Sequence, residues 1–118
     1  MKRVFIAGPI GCGGKADNMR FLGNLDEFIE AWGTLTALGF ACYCPGADFL
    51  IAMRNPSMDI EELQQASLAW LRVSDCVFLL DGWEDSPGTA RELSVASELG
   101  LPAFQSLADI LRWKVATE

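Results

Sequence analysis

Apolar and polar positions along the chain change period several times, and each change marks an element. Arg3 to Ala7 is a near-continuous apolar run of the kind buried on both faces of a parallel sheet, and it predicts a first strand. From about Leu25 to Leu38 apolar residues recur at helical spacing (Leu25, Phe28, Ile29, Trp32, Leu35, Leu38), with Gly39 placed to end the helix. Trp32 on that stripe reads as core or interface rather than as a ligand platform. Phe40 to Cys44 predicts a second strand, closed by Pro45-Gly46. Ala47 to Pro56 reads either as a short helix or as a loop folded over a site, and a hidden strand near Ala47 to Met53 is a third option. Ser57 or Asp59 can cap a helix through Ile60, Leu63, Ala66, Leu68 and Leu71. Cys76-Val77-Phe78-Leu79-Leu80 suits a buried strand in length and in aromatic and β-branched content. Pro87 to Leu99 reads as a helix, with Ser86 as its N-cap and Pro87 at the first helical position, where a missing N–H costs nothing. Gly100-Leu101-Pro102 turns into a last short strand, Ala103 to Gln105. Ser106 or Asp109 then begins a terminal helix through Leu107, Ile110, Leu111 and Trp113.

Strand and helix alternate throughout, without repeats, linkers or low-complexity segments. The prediction is one α/β domain over residues 1–118, a doubly wound parallel sheet of four to five strands with helices on both faces and right-handed crossovers. If the strand order is flavodoxin-like, the loops after the first and third strands flank the switch point. That order brings Gly8 to Gly14 and Asp81 to Glu92 into one crevice.

Composition narrows the class. At 118 residues the chain can bury one core but not two. It is 51% hydrophobic, which argues against disorder. No apolar stretch approaches the ~18 residues needed to span a membrane. The opening Met1-Lys2-Arg3 and its apolar segment superficially resemble a signal peptide. The segment is short and ends in Gly8-Pro9, so a first strand in a cytoplasmic protein is the expectation. The net charge of −7, with no basic cluster, argues against a nucleic-acid backbone as partner. It leaves room for a small anion held by backbone N–H groups.

The chain has no histidine, which removes Ser-His-Asp and Cys-His mechanisms and most zinc sites. Acid–base chemistry then falls to carboxylates, Lys, Tyr or water, and the reading calls for no metal and no cofactor. Cys12, Cys42, Cys44 and Cys76 form no C-x-x-C pair and read as reduced thiols. Cys42 and Cys44, two apart on a strand, share a face; Cys12, in the glycine loop, is the one expected to be reachable.

Two stretches carry candidate chemistry. Gly8-Pro9-Ile10-Gly11-Cys12-Gly13-Gly14-Lys15 lets the backbone turn sharply and approach a ligand, although its spacing is neither a P-loop nor a clean G-x-G-x-x-G. A flexible connection and a phosphate or sugar cradle are both compatible with it. Asp81-Gly82-Trp83-Glu84-Asp85-Ser86-Pro87-Gly88 leads from a buried strand into a capped helix, whose first turn offers N–H groups to an anion. One and a half turns further on, Glu92 returns a carboxylate toward the same crevice. Asp81, Glu84 and Asp85 are nearby acids or simply loop solvation. Trp83 is a stacking platform for a base or a hydrophobic plug. Asp75 reads as fixing a turn, and Arg91 as balancing nearby acids.

Val4-Phe5-Ile6-Ala7-Gly8-Pro9, Ser74-Asp75-Cys76-Val77 with Asp81-Gly82-Trp83, Ser86-x-Gly88-x-x-x-Glu92 and Gly100-Leu101-Pro102, in that order, resemble the nucleoside 2-deoxyribosyltransferase-like superfamily. The resemblance spans nearly the whole chain and is strongest to the short members with an AGP start. It implies a flavodoxin-like sheet and a homodimer or larger assembly. It also implies a small-molecule nucleoside or nucleotide substrate with Glu92 as nucleophile; the acid this chemistry needs is sought among the nearby Asp81, Asp85 and Glu84, none of which the sequence singles out. By that analogy Ser86, Gly88 and the loop carrying Gly8, Pro9, Ile10, Gly11, Gly13 and Gly14 contact the sugar and phosphate, and Phe5 and Trp83 are candidate substrate contacts beside them. One branch of the superfamily passes the sugar to another base; the other gives it to water and acts on 2′-deoxynucleoside 5′-monophosphates, with a Ser at the position of Ser86. Phe5 stands where the superfamily usually has a Tyr, and Ser67 falls where active members have an Asp. These departures leave slow hydrolysis, or nucleotide binding and sensing without turnover, beside base exchange.

Overall fold

The computed structural model describes residues 1–9 and 18–118, except for the side chains of 18–22, 49 and 53. Four strands, β1 (Arg3–Ala7), β2 (Ala41–Tyr43), β3 (Cys76–Leu79) and β4 (Ala103–Phe104), form one parallel sheet among these residues, in the order β2-β1-β3-β4. Five helices accompany them: α1 (Asn18–Ala37), α2 (Gly46–Arg54), α3 (Ile60–Arg72), α4 (Pro87–Glu98) and α5 (Leu107–Ala116).

Alternation along the central strands divides the core in two. Val4 and Ile6 of β1, with Cys76 and Phe78 of β3 and Leu80, pack with Phe28 and Leu35 of α1 and Ile110 of α5. Phe5, Ala7, Val77 and Leu79 point the other way and pack with Leu68 and Leu71 of α3 and Ala96 of α4. A strand covered on both faces must be apolar at every position, which is why β1 and β3 read as unbroken runs. Cys42 and Cys44 lie on the same side, both against the first layer, and Cys42, Cys44 and Cys76 are free thiols.

The ends of the elements follow local chemistry. Asp59 caps α3 by accepting from the Glu61 N–H, and Ser106 caps α5 by accepting from the Asp109 N–H. After α1, Gly39 adopts φ +92°, while Phe40 N–H reaches the Leu35 carbonyl and Gly39 N–H the Thr36 carbonyl. This is a Schellman closure, and its left-handed residue favours glycine. Asp75 has the structural part expected of it. Its carboxylate accepts from the Arg3 N–H at 2.7 Å and its own N–H donates to the Arg3 carbonyl at 2.8 Å, joining the starts of β1 and β3.

Of the options left open for the segment after Pro45, the short helix is the one found: α2 has Asp48 in its first turn and Arg54 in its last, signs that suit the helix dipole. Trp83–Asp85, read as loop, is a single 3-10 turn entered through Gly82 at φ +84°. Because β2 lies on one side of β1 and β3 on the other, the chain leaves β1 and β3 in opposite directions. A crevice opens above their carboxyl ends.

Candidate functional site

The crevice is built on the cap of α4. Ser86 Oγ accepts from the Thr89 N–H at 3.2 Å and from the Thr89 hydroxyl at 3.0 Å. With both acceptor positions used, the Ser86 proton is left to donate elsewhere, and among the described residues it has no protein acceptor. Thr89 is wholly buried, so this pair is held rigidly beneath the first turn of the helix. Gly8 closes the floor. A Cβ there would come within 2.8 Å of Leu80 Cβ, so only glycine lets β1 exit this close to the chain leaving β3.

Glu92 lies further along α4 and lines a crevice of about 100 Å³ together with Gly8, Phe28, Pro45, Asp48, Ile60, Leu63, Gln64, Ser67, Leu68, Ser86, Gly88, Thr89 and Arg91. Most of that wall is apolar. Burial alone pushes the Glu92 carboxyl up to about 8, from an ordinary value of 4.5. Arg91 does not offset this. Its guanidinium donates to Gln64 Oε1 at 3.0 Å and pairs with Glu61 at 3.3 Å, tying α4 to α3.

A second carboxylate enters from the opposite end. Asp48, in the first turn of α2, accepts a hydrogen bond from the Tyr43 hydroxyl. Burial first, and then Asp48 itself, hold the Tyr43 phenol above its usual range, so it stays a donor. The ring is fixed between Phe5, its register partner on β1 at 5.5 Å, and Trp70, stacked at 5.7 Å. Ser67 is buried in the same wall beside the Tyr43 phenol, and its Oγ has no hydrogen-bond partner of normal geometry among the described residues. Among the described residues no group of three His, Cys, Asp or Glu side chains could hold a metal ion. Among the same residues no helix is long and apolar enough to cross a membrane.

The residues singled out in the sequence are thus distributed unevenly. Glu92, Ser86, Gly88 and Gly8 meet in the crevice. Pro9 lies beside Gly82, between the two loops. Phe5 is wholly buried in the second core layer. Trp83 packs against that same layer, its Nε1 buried without a partner among the described residues, and does not line the crevice. Asp81 borders a separate groove with Glu27, Glu30 and Gln105, while Glu84 and Asp85 are exposed on the 3-10 turn. Ile10, Gly11, Cys12, Gly13 and Gly14 lie outside the described residues.

Sequence reasoning missed Asp48, Tyr43, Gln64 and Thr89. Thr89 stands three residues after a Ser N-cap, a spacing that a search for capping partners finds. Asp48 carried no such signal while its segment was ambiguous between helix and loop.

A family model described as a domain of unknown function, DUF4406, matches residues 2–105. No curated protein matches the chain. Among solved structures, a 2-deoxyribosyltransferase from Bacillus psychrosaccharolyticus superposes with a TM-score of 0.58 at 21% identity, covering 86% of this chain and 69% of its own. At that identity the likeness is one of fold.

Proposed function

The chain belongs to the DUF4406 domain family, and we propose that its crevice cleaves or transfers the N-glycosidic bond of a 2′-deoxynucleoside or its 5′-monophosphate, with Glu92 as nucleophile. The observation that carries this reading is the Glu92 carboxyl, borne by the helix after the third strand and lining a mostly apolar crevice at the switch point of the sheet. The 2-deoxyribosyltransferase that shares the fold supports it as an analogy of architecture.

In this scheme a Glu92 carboxylate oxygen bonds to the anomeric carbon as the bond to the base breaks, its electron pair leaving with the base. Water or a second base then displaces Glu92, and configuration is retained overall. Ser86 and the Gly88 N–H, left over at the start of α4 once Thr89 and Ala90 bond to Ser86, are the groups that would receive a sugar hydroxyl or phosphate. The departing base needs a proton. Asp81, Glu84 and Asp85 stand outside the crevice, so we assign that proton to none of them. Incubation with 2′-deoxynucleosides and their 5′-monophosphates should release free base, and Glu92→Ala should abolish release. Base release that survives Glu92→Ala refutes the assignment.

One observation favours a second reading, nucleotide binding without turnover. With its carboxyl raised to about 8, Glu92 keeps its proton at neutral pH in the empty crevice, and a protonated carboxyl does not attack. Tight binding with no base released up to pH 9 decides for that reading.

A further inference from the structure

The crevice spans the ends of three neighbouring strands, and its polar groups are segregated along it. Ser86, Gly88 and Thr89 follow β3, Gly8 follows β1, and Pro45 and Asp48 follow β2 at the far side. Ile60, Leu63, Gln64 and Ser67 of α3 also line the crevice, whose surface is mostly apolar, with Asp48 the carboxylate on the β2 side. With the anomeric carbon at Glu92 and the polar side of the sugar toward the start of α4, a planar apolar base has the β2 side left to it. The group projecting furthest from the sugar, at position 6 of a purine or 4 of a pyrimidine, then meets Asp48.

We propose that Asp48, oriented by Tyr43, selects bases that carry an amino group at that position, adenine and cytosine, over the keto bases hypoxanthine and uracil. This inference rests on the glycosidic reading above. Tyr43 donates to one Asp48 oxygen, which holds the group as an acceptor and leaves its other oxygen for the ligand. An exocyclic amino group donates to that oxygen; a carbonyl in its place sets lone pair against lone pair. Gln64, also in the lining, has its Oε1 taken by Arg91, so only its N–H groups are left for a ligand. Tyr43 acts through Asp48 and is a positioning residue.

The test is calorimetric titration of the wild-type protein with deoxyadenosine against deoxyinosine and deoxycytidine against deoxyuridine, each also as the 5′-monophosphate. A hydrogen bond to a charged group, made or lost, predicts that the amino member of each pair binds roughly ten-fold tighter or more. Asp48→Asn, which offers a donor as well as an acceptor, should bring each pair within about three-fold. Tyr43→Phe should narrow the preference while leaving binding of the keto members unchanged. Equal affinities in the wild type, or an Asp48→Asn protein that weakens every ligand alike, overturns the inference and leaves the glycosidic reading standing. Failure of all eight compounds to bind overturns both.

Discussion

Arg91 and Glu92 are adjacent in the chain and line the same crevice, yet they do not neutralise one another. The guanidinium is spent on Glu61 and Gln64 of α3, and Glu92 is left with burial as the sole cause of its raised pKa. A cation aimed at the carboxyl would have favoured the charged form; here the wall is free to oppose it. If the ionised form is the nucleophile, activity must climb as the proton leaves. Release of base, measured as kcat/KM, should rise with pH and level off above an inflection near 8, the value for the free enzyme. A profile already flat from pH 6 would show that Glu92 does not limit the reaction.

The same carboxyl makes stability depend on pH, with a definite sign. Between the ordinary value of 4.5 and about 8 the folded state holds the proton and the unfolded chain does not. Folded protein therefore binds more protons across this window, and stability falls as pH rises through it. Glu92→Gln removes the penalty. Its melting temperature should match that of the wild type near pH 4, exceed it by a growing margin up to about pH 8, and hold that margin above. A constant difference across the range would place the Glu92 side chain in water.

How much of this was legible beforehand depends on whether a feature is local. Strand β1, strand β3 and the Ser86 cap declare themselves within a few residues, because burial on both faces forces an apolar run and a helix start needs a side-chain acceptor. Gathering Gly8 with Ser86 and Glu92 needed only the strand order. Asp48 was hidden for a different reason. Phe49-Leu50-Ile51-Ala52-Met53 is a short apolar run, and periodicity cannot separate strand from helix over that length. Its pairing with Tyr43 depends on a phenol held from β1 by the ring of Phe5, a tertiary contact that spacing does not encode. Trp83 was ambiguous for another reason. An aromatic beside a binding loop reads equally as a platform or as a plug, and here its ring packs against the core layer formed by Phe5, Leu68 and Leu79.

Ser86 serves as helix cap and as candidate ligand donor, and two substitutions separate these roles. Ser86→Ala removes the acceptor for the Thr89 N–H and hydroxyl. It should cost about 1 kcal/mol, or roughly 4 °C in Tm for a chain of this size. Ser86→Asp retains a good cap and should leave Tm within about 2 °C of wild type. Its added charge beside the start of α4 should weaken 5′-monophosphates by about ten-fold while sparing free nucleosides. Thermal melts and parallel titrations of the two ligand types check both halves. If Ser86→Asp binds nucleoside and monophosphate as the wild type does, the phosphate lies elsewhere.

Ser67 offers the last test. Its Oγ is buried in the crevice wall beside the Tyr43 phenol, without a hydrogen-bond partner of normal geometry among the described residues, a state that costs stability. Replacing it with alanine removes the unpaired group along with little volume, so Tm should stay level or rise by a degree or two. A hydroxyl kept for structure would give the opposite result. If the group instead waits for a ligand, Ser67→Ala should weaken nucleoside binding by about five-fold, the loss of one neutral hydrogen bond. Gain in stability with loss of affinity is the expected combination, read from a melt and a titration of one variant. Unchanged affinity would remove Ser67 from the site, and a fall in Tm would mean that its hydroxyl is satisfied within the folded chain.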